Sequence, residues 1–250
     1  MSKITVVTYV HEAHKPWIPF WAEQISKQTL GDFDVLFIAH NWGTHSLVQE
    51  WTNYNEFSDM LKDSPIWTQG AKPDVRFESY WSAPVIGEVI DEGCRMIETE
   101  YFAHWDVDDP MHPERLRLQH EFLVANPDID FLNARAIGFH GEVPEWPDDL
   151  LHRDKTERPL IQELTDPQLQ THDQIKRMIS RGFNCLAHGL MVYRPESIMK
   201  LGGFSRSDVK LDGKSPDFET WKKALMAGYQ FHRLPELLMM WRLDSSSIRS

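Results

Sequence analysis

Three carboxylates close an apolar run in Tyr101-Phe-Ala-His-Trp-Asp-Val-Asp-Asp-Pro110. Extended chain alternates its side chains, so Asp106 and Asp108 are expected on one face and Asp109 on the other. Two carboxylates held side by side repel unless a cation lies between them. A hard ion that prefers oxygen, Mg²⁺ or Mn²⁺, suits that pair and leaves coordination positions for phosphate oxygens. The chemistry suggested is the handling of a metal-bound phosphate ester. A plainer reading is a solubilising turn, with Asp before Pro starting a helix.

The flanking elements favour the chemical reading. Pro113 to Asn126 has the pattern of an amphipathic helix, with Pro113 in its first turn, Leu116, Gln119 and Leu123 on one stripe, and Asn126-Pro127 as the stop. Ile129-Asp-Phe-Leu then begins another strand. Strand, acidic turn, helix and strand put the carboxylates at the carboxyl end of a strand in an α/β sheet, where such folds bind ligands.

Earlier segments extend the pattern. Residues 4–10 and 34–39 read as buried strands joined by a helix over 16–28, a right-handed start to a parallel sheet. The connection over 44–74 is too long for a plain loop and is expected to be partly helical. A third strand covers 75–80 and a helix 84–97. From His140 to about Gly182 the chain turns polar and proline-containing, which suggests an insertion or mobile lid over 140–183. Leu186 to Tyr193 reads as a strand, Pro195 to Leu201 as a short helix, and Phe218 to Gly228 as a final helix closed by glycine. The fold class expected is α/β: one domain of 250 residues with a mixed, mainly parallel, Rossmann-related sheet flanked by helices.

Composition narrows the function. The net charge of −12 argues against non-specific nucleic-acid binding, which needs a cationic face. Two cysteines, Cys94 and Cys185, fit a reducing compartment and argue against a cysteine zinc site. No run approaches the roughly 20 apolar residues of a membrane span, and no signal-like segment opens the chain, so a cytoplasmic location is expected. Ten tryptophans suit either a core or a saccharide-binding cleft.

Six segments in order give the chain a resemblance to the family-2-type glycosyltransferases of the GT-A fold. They are the Ile4 to Tyr9 strand, Gln28-Thr-Leu-Gly-Asp-Phe-Asp, Asp106-Val-Asp-Asp109 with its Pro-Glu-Arg-Leu helix, Met191 to Arg194 with Leu201-Gly-Gly-Phe204, Pro216-Asp-Phe-Glu-Thr-Trp221, and Leu234 to Asp244. The resemblance implies a hexosyl- or pentosyltransferase that moves sugar from a nucleoside-diphosphate-sugar to a hydroxyl with inversion. In it Asp108 ligates Mn²⁺ or Mg²⁺, Asp106 touches metal or ribose, Asp244 is a possible further ligand, and Asp217 is the general base. Thr8, Tyr9 and Asn41 are implied as nucleotide contacts, and His188-Gly189 as neighbours of the diphosphate. Residues 1–135 would form the donor half, and 184–250 the acceptor and base half.

The chain departs from the family pattern in four places, one of them Ile90-Asp91, which stands where an Arg-Asn pair lies in the helix before the acidic strand. Pro216 stands where a Glu precedes the base, His40-Asn41 replaces the acidic residue that contacts uridine, and Asp244 replaces a closing His. Asp217 also has a structural reading as a helix N-cap. A glycan, a small molecule, a protein or a modified nucleic acid would all serve as acceptor. Two alternative functions use the same residues: a metal-dependent nucleotidyltransferase or phosphohydrolase, and a degenerate transferase that only binds nucleotide sugar.

Overall fold

Strand β1 (Ile4–His11) divides the molecule by parity. Ile4, Val6 and Val10 enter one apolar layer, while Val7 enters the other, with Tyr9 packed against it. The computed structural model in which this is seen describes residues 4–43, 46–64, 74–80, 86–146, 170–204 and 215–243. The remaining strands are β2 (Asp34–His40), β3 (Asp74–Tyr80), β4 (Tyr101–His104), β5 (Phe131–Phe139), β6 (Val192–Tyr193) and β7 (Phe231–Arg242). They form one sheet in the order β3-β2-β1-β4-β6-β5-β7. Only the two-residue β6 runs against its neighbours β4 and β5, so the sheet is mainly parallel, as the sequence pattern predicts.

The described helices are α1 (Ile18–Ser26), α2 (Leu47–Leu61), α3 (Ile86–Met96), α4 (Arg115–Ala125), α5 (His172–Ser180), α6 (Pro195–Lys200) and α7 (Pro216–Met226). Trp21 of α1, Phe57 of α2 and Leu116 and Leu123 of α4 cover the sheet face that holds Val6 and Val10. Val89 and Ile90 of α3, Ile175 of α5, Ile198 of α6 and Trp221 of α7 cover the face that holds Val7. The result is a three-layer α/β/α arrangement. Trp21, Trp42, Trp105 and Trp221 are fully buried and serve the core, whereas Trp51 and Trp241 are exposed.

Several local expectations are corrected. Strand β4 stops at His104, and the Asp109 N–H donates to the Asp106 carbonyl at 3.3 Å. The acidic residues therefore lie in a turn, where strand alternation does not assign their faces. Leu186 to Tyr193 is not a continuous strand: a 3-10 turn covers His188–Leu190, and only Val192–Tyr193 pairs in the sheet. Side chains take up the backbone groups of that stretch instead. Asn133 brackets Ala187 (Nδ2 to O, 2.7 Å; N to Oδ1, 3.2 Å), and Gln119 Nε2 donates to the Leu190 carbonyl at 2.8 Å. Helix α7 starts at Pro216, earlier than its pattern suggests, because proline fits the first helical position. The 140–183 insertion carries α5, opened by a Thr171/Gln174 capping box; its residues 147–169 lie outside the described set.

The Leu201-Gly-Gly-Phe204 segment has a physical reason to contain two glycines. Gly202 and Gly203 have φ of +87° and +94°. A Cβ on Gly203 would lie 2.3 Å from Asp91 Oδ2, whereas nothing lies within 4 Å of one on Gly202. Asp91, buried on α3, accepts the Phe204 N–H at 2.6 Å and so ties this loop to the helix layer. Denaturant titration should find Gly202→Ala destabilising by about 1–2 kcal/mol, the cost of left-handed backbone, and Gly203→Ala by roughly twice that or more, because a steric conflict is added.

Candidate active site

The acidic turn is held from three sides. Pro110 and His112 pair with β7 through Met240 N to Pro110 O and His112 N to Leu238 O, both 3.0 Å. Gln28 donates to the His112 carbonyl at 3.0 Å and accepts the Leu116 N–H at 3.1 Å, which fixes the start of α4 against the turn. The Arg242 N–H donates to Asp109 Oδ1 at 2.9 Å. The Arg242 guanidinium packs between the Trp17 and Phe139 rings and donates to Gly141 O at 2.9 Å.

Behind the turn lies Arg115, fully buried on α4. Its Nε donates to Gln119 Oε1 at 3.0 Å, a second guanidinium nitrogen reaches the His104 carbonyl, and its plane lies over Trp105. Burial lowers its pKa to about 9, against the opposing pull of Asp106 and Asp109, so it stays cationic at neutral pH. The sequence offers a faint sign of this role: Arg115 lies four residues before Gln119 on the helix stripe that must face inward.

In front of the turn is a cavity of about 600 Å³, within the range of ligand pockets. Tyr9 and His188 line its floor, and Asp106, Asp109, Asn184, Asp217, Met239 and Trp241 also line it. Burial pushes the Asp106 carboxyl above the usual carboxylate range, opposed by His188 and reinforced by Asp108 and Asp217. Gly189 passes so close that a Cβ there would be 2.7 Å from Asp106 Oδ2. Burial raises Asp109 further still, with the Asp106 and Asp108 charges adding to it.

The floor is a hydrogen-bonded chain across three strands. Tyr9 OH pairs with His104 Nδ1 at 3.0 Å and with His188 Nε2, and His104 Nε2 pairs with Tyr193 OH at 2.9 Å. Burial, with the His188 and Arg115 charges, keeps His104 far below its ordinary pKa and therefore neutral. Burial holds the Tyr9 phenol protonated, with Asp106 and Asp217 adding to the effect.

Of the residues singled out by sequence, the structure brings Tyr9, Asp106, His188, Gly189 and Asp217 to this one cavity. Asp108 is half-buried beside it, and its carbonyl accepts from Arg242 Nε at 3.4 Å. Thr8 points to the other sheet face, where its hydroxyl accepts the Trp21 indole N–H at 2.9 Å. Asn41, in left-handed backbone at φ +59°, lies at the end of β2 outside the cavity wall. Asp244 lies outside the described residues. Asp217 is not the N-cap of α7; Ser215 holds that position, and Asp217 sits within the first turn. Its Oδ2 accepts from Asn184 Nδ2 at 2.9 Å, a partner no periodicity or motif in the sequence announces.

Comparison with known proteins bears on the fold. No family model matches the chain. It is 22% identical over 258 residues to the O-antigen biosynthesis glycosyltransferase WbnJ of Escherichia coli, covering 99% of this chain and 82% of that protein. The crystal structure of S. aureus TarS 1-349 in complex with UDP-GlcNAc superposes with a TM-score of 0.62 at 14% identity, over 96% of this chain and 58% of that one. The mannosyltransferase PcManGT from Pyrobaculum calidifontis, in complex with GDP-Man and Mn²⁺, gives 0.59 at 15% identity over 98% and 58%. The chain thus spans about three fifths of the length of these solved structures. The fold it shares with them is the GT-A glycosyltransferase fold.

The raised Asp109 carboxyl has a consequence for stability. Above about pH 4 an unfolded Asp is ionised, while folded Asp109 keeps its proton well beyond that pH. The folded state therefore binds the extra proton, and its stability falls as pH rises through that window. Asp109→Asn keeps an oxygen for the Arg242 N–H and removes the titration. Measured in chelator, its melting temperature should exceed that of the wild type at pH 7 and vary less with pH.

Proposed function

We propose that the chain is an inverting glycosyltransferase that moves a sugar from a nucleoside-diphosphate-sugar to an acceptor hydroxyl, with Asp217 as general base. The observation that carries this reading is that Asp106 and Asp217, more than a hundred residues apart in sequence, face one cavity at the carboxyl end of β1 and β4. The likeness to WbnJ over almost the whole chain, and to structures solved with UDP-GlcNAc and GDP-Man, supports the same class.

The acidic turn fits a hard divalent cation. Asp106 and Asp108 offer carboxylate oxygen, and the raised Asp106 and Asp109 carboxyls mark a place where added positive charge is favourable. Among the described residues no three His, Cys, Asp or Glu side chains group tightly enough to hold an ion alone. Mn²⁺ or Mg²⁺ would therefore be shared with phosphate oxygens and water, in the manner Mg²⁺ adopts in phosphate sites. When bound, such an ion supplies neutralisation of the charge that gathers on the departing diphosphate.

The remaining steps belong to the chain's own side chains. Asp106 and Asp108 would hold the divalent ion that neutralises the diphosphate end of the donor, and Gly189 lets the backbone approach that end without a side chain between. Asp217, which lines the same cavity as Asp106, takes the proton of the acceptor hydroxyl as its oxygen attacks from the side opposite the leaving group. One displacement from that side inverts the anomeric carbon. Met239 and Trp241 limit access of water to the reacting atoms.

Removing a positioned base costs about 10²–10⁴ in rate. Asp217→Asn should lose that much donor turnover, read as nucleoside diphosphate released from a panel including UDP-GlcNAc and GDP-Man with Mn²⁺. Its thermal shift with donor should stay close to that of the wild type. Turnover by Asp217→Asn at the wild-type rate would remove the base assignment. Release of inorganic phosphate or pyrophosphate instead would favour a phosphohydrolase or nucleotidyltransferase, and donor binding without any product would favour a pure binding module.

A further inference from the structure

The residue immediately before Asp217 is Pro216, which offers no carboxylate to orient it. Asp217 nonetheless has a fixed partner. Asn184 lies 33 residues earlier, on the loop between α5 and β6, and its Nδ2 donates to Asp217 Oδ2 at 2.9 Å. The other end of the same amide is also engaged, with Oδ1 accepting the Leu186 N–H at 3.2 Å. Turning the amide over would set its carbonyl against a carboxylate and its NH₂ against an N–H, so both ends select one orientation.

The loop that carries Asn184 is itself anchored. Cys185 and Leu186 are buried, and the next residue, Ala187, is bracketed by the Asn133 side chain on β5. Helix α7, which carries Asp217, is anchored on the same layer by Phe218 and Trp221. The Asn184–Asp217 bond therefore joins two rigid pieces of the cavity wall, and it engages one carboxylate oxygen while the other can face an incoming hydroxyl.

We infer that Asn184 is the positioning residue for Asp217, replacing an acidic partner with a neutral donor. Resting on the reaction proposed above, this inference adds how its base is aimed. A neutral amide suits the role for two reasons. It stabilises and orients the ionised carboxylate, and it cannot take the acceptor proton in its place. The bond leaves Asp106 and the diphosphate end untouched, so its loss should lower kcat and leave donor KM nearly unchanged.

The test is a double-mutant cycle on donor turnover with Mn²⁺, using the nucleotide sugar the wild type turns over fastest. Asn184→Ala removes the donor without adding charge. Asn184→Ser keeps an oxygen that can accept the Leu186 N–H and is too short to reach Asp217, so it removes the bond without adding charge. Each should lose about 10–100-fold in kcat, the usual scale for a misaimed reactive group, with donor KM within about twofold of wild type. In an Asp217→Asn background, Asn184→Ala should cost nothing further, because a residue that acts only through another is silent once that other is gone. Near-wild-type kcat for Asn184→Ala would overturn the inference, and so would a full additional loss on top of Asp217→Asn. Wild-type activity in Asp217→Asn alone is a separate failure, that of the base assignment. Donor-induced thermal shift confirms that each variant is folded, and if Asn184→Ala fails to fold, Asn184→Ser decides by the same kcat criterion.

Discussion

The constraint on which this molecule depends is electrostatic: a turn with three carboxylates must be held next to a low-dielectric core. Like charges at that spacing cannot all ionise without compensation, and burial makes each one harder to ionise. The protein answers with two buried cations, Arg115 and Arg242, and with backbone donors such as the Arg242 N–H on Asp109. Arg115 cannot relax into solvent, because Gln119, the His104 carbonyl and the Trp105 ring fix it. A buried guanidinium is costly unless paired and hydrogen-bonded, so the acidic turn and Arg115 stabilise each other. The positive charge behind the turn is structural, and the space in front of the turn is the cavity.

Sheet topology places the second half of the site. The short reversed strand β6 lies between β4 and β5, so the chain reaches the sheet centre from the loop containing Asn184 and His188. From β6 the chain enters the helix layer over Val7 and Tyr9, the same layer in which α7 packs Trp221. Strand parity then decides which β1 side chain reaches the cavity. Tyr9 does, and Thr8, one residue away, is instead consumed by the Trp21 indole. The edge position of β7 lets it tolerate Pro235, since the missing N–H is needed by no further strand.

The cavity floor is polar, neutral and rigid. Tyr9, His104 and Tyr193 come from β1, β4 and β6, and their hydrogen bonds tie the three central strands together beneath the site. Buried polar chains of this kind are worth having only when satisfied throughout, because a lost partner leaves an uncompensated group in low dielectric. Tyr9 and His104 stay uncharged in that chain, so neither adds charge beside Asp106 and Asp217.

The order of strands and helices was legible because hydrophobic periodicity is a local property: β1, β2, α3 and α4 all follow from spacing within a dozen residues. The acidic turn at Asp106 and Asp108 was legible too, from residue type and local setting, whereas Asp217 was singled out by resemblance. Other features arise between segments far apart in sequence, where no local pattern reports them. The acidic turn escaped strand parity because β4 stops at His104, a boundary set by pairing with β7 and by the caps of Gln28. The stretch from Leu186 to Met191 looked like a strand because its apolar residues are buried, yet Asn133 and Gln119 take the backbone bonds a strand would have used. Arg115 beneath the carboxylates, Arg242 above them and Asn184 against Asp217 are likewise products of packing. Sequence alone determined the inventory of reactive groups and the elements that carry them. Only the tertiary structure decided which of those groups meet, because hydrogen bonds and charge pairs depend on distances that folding creates.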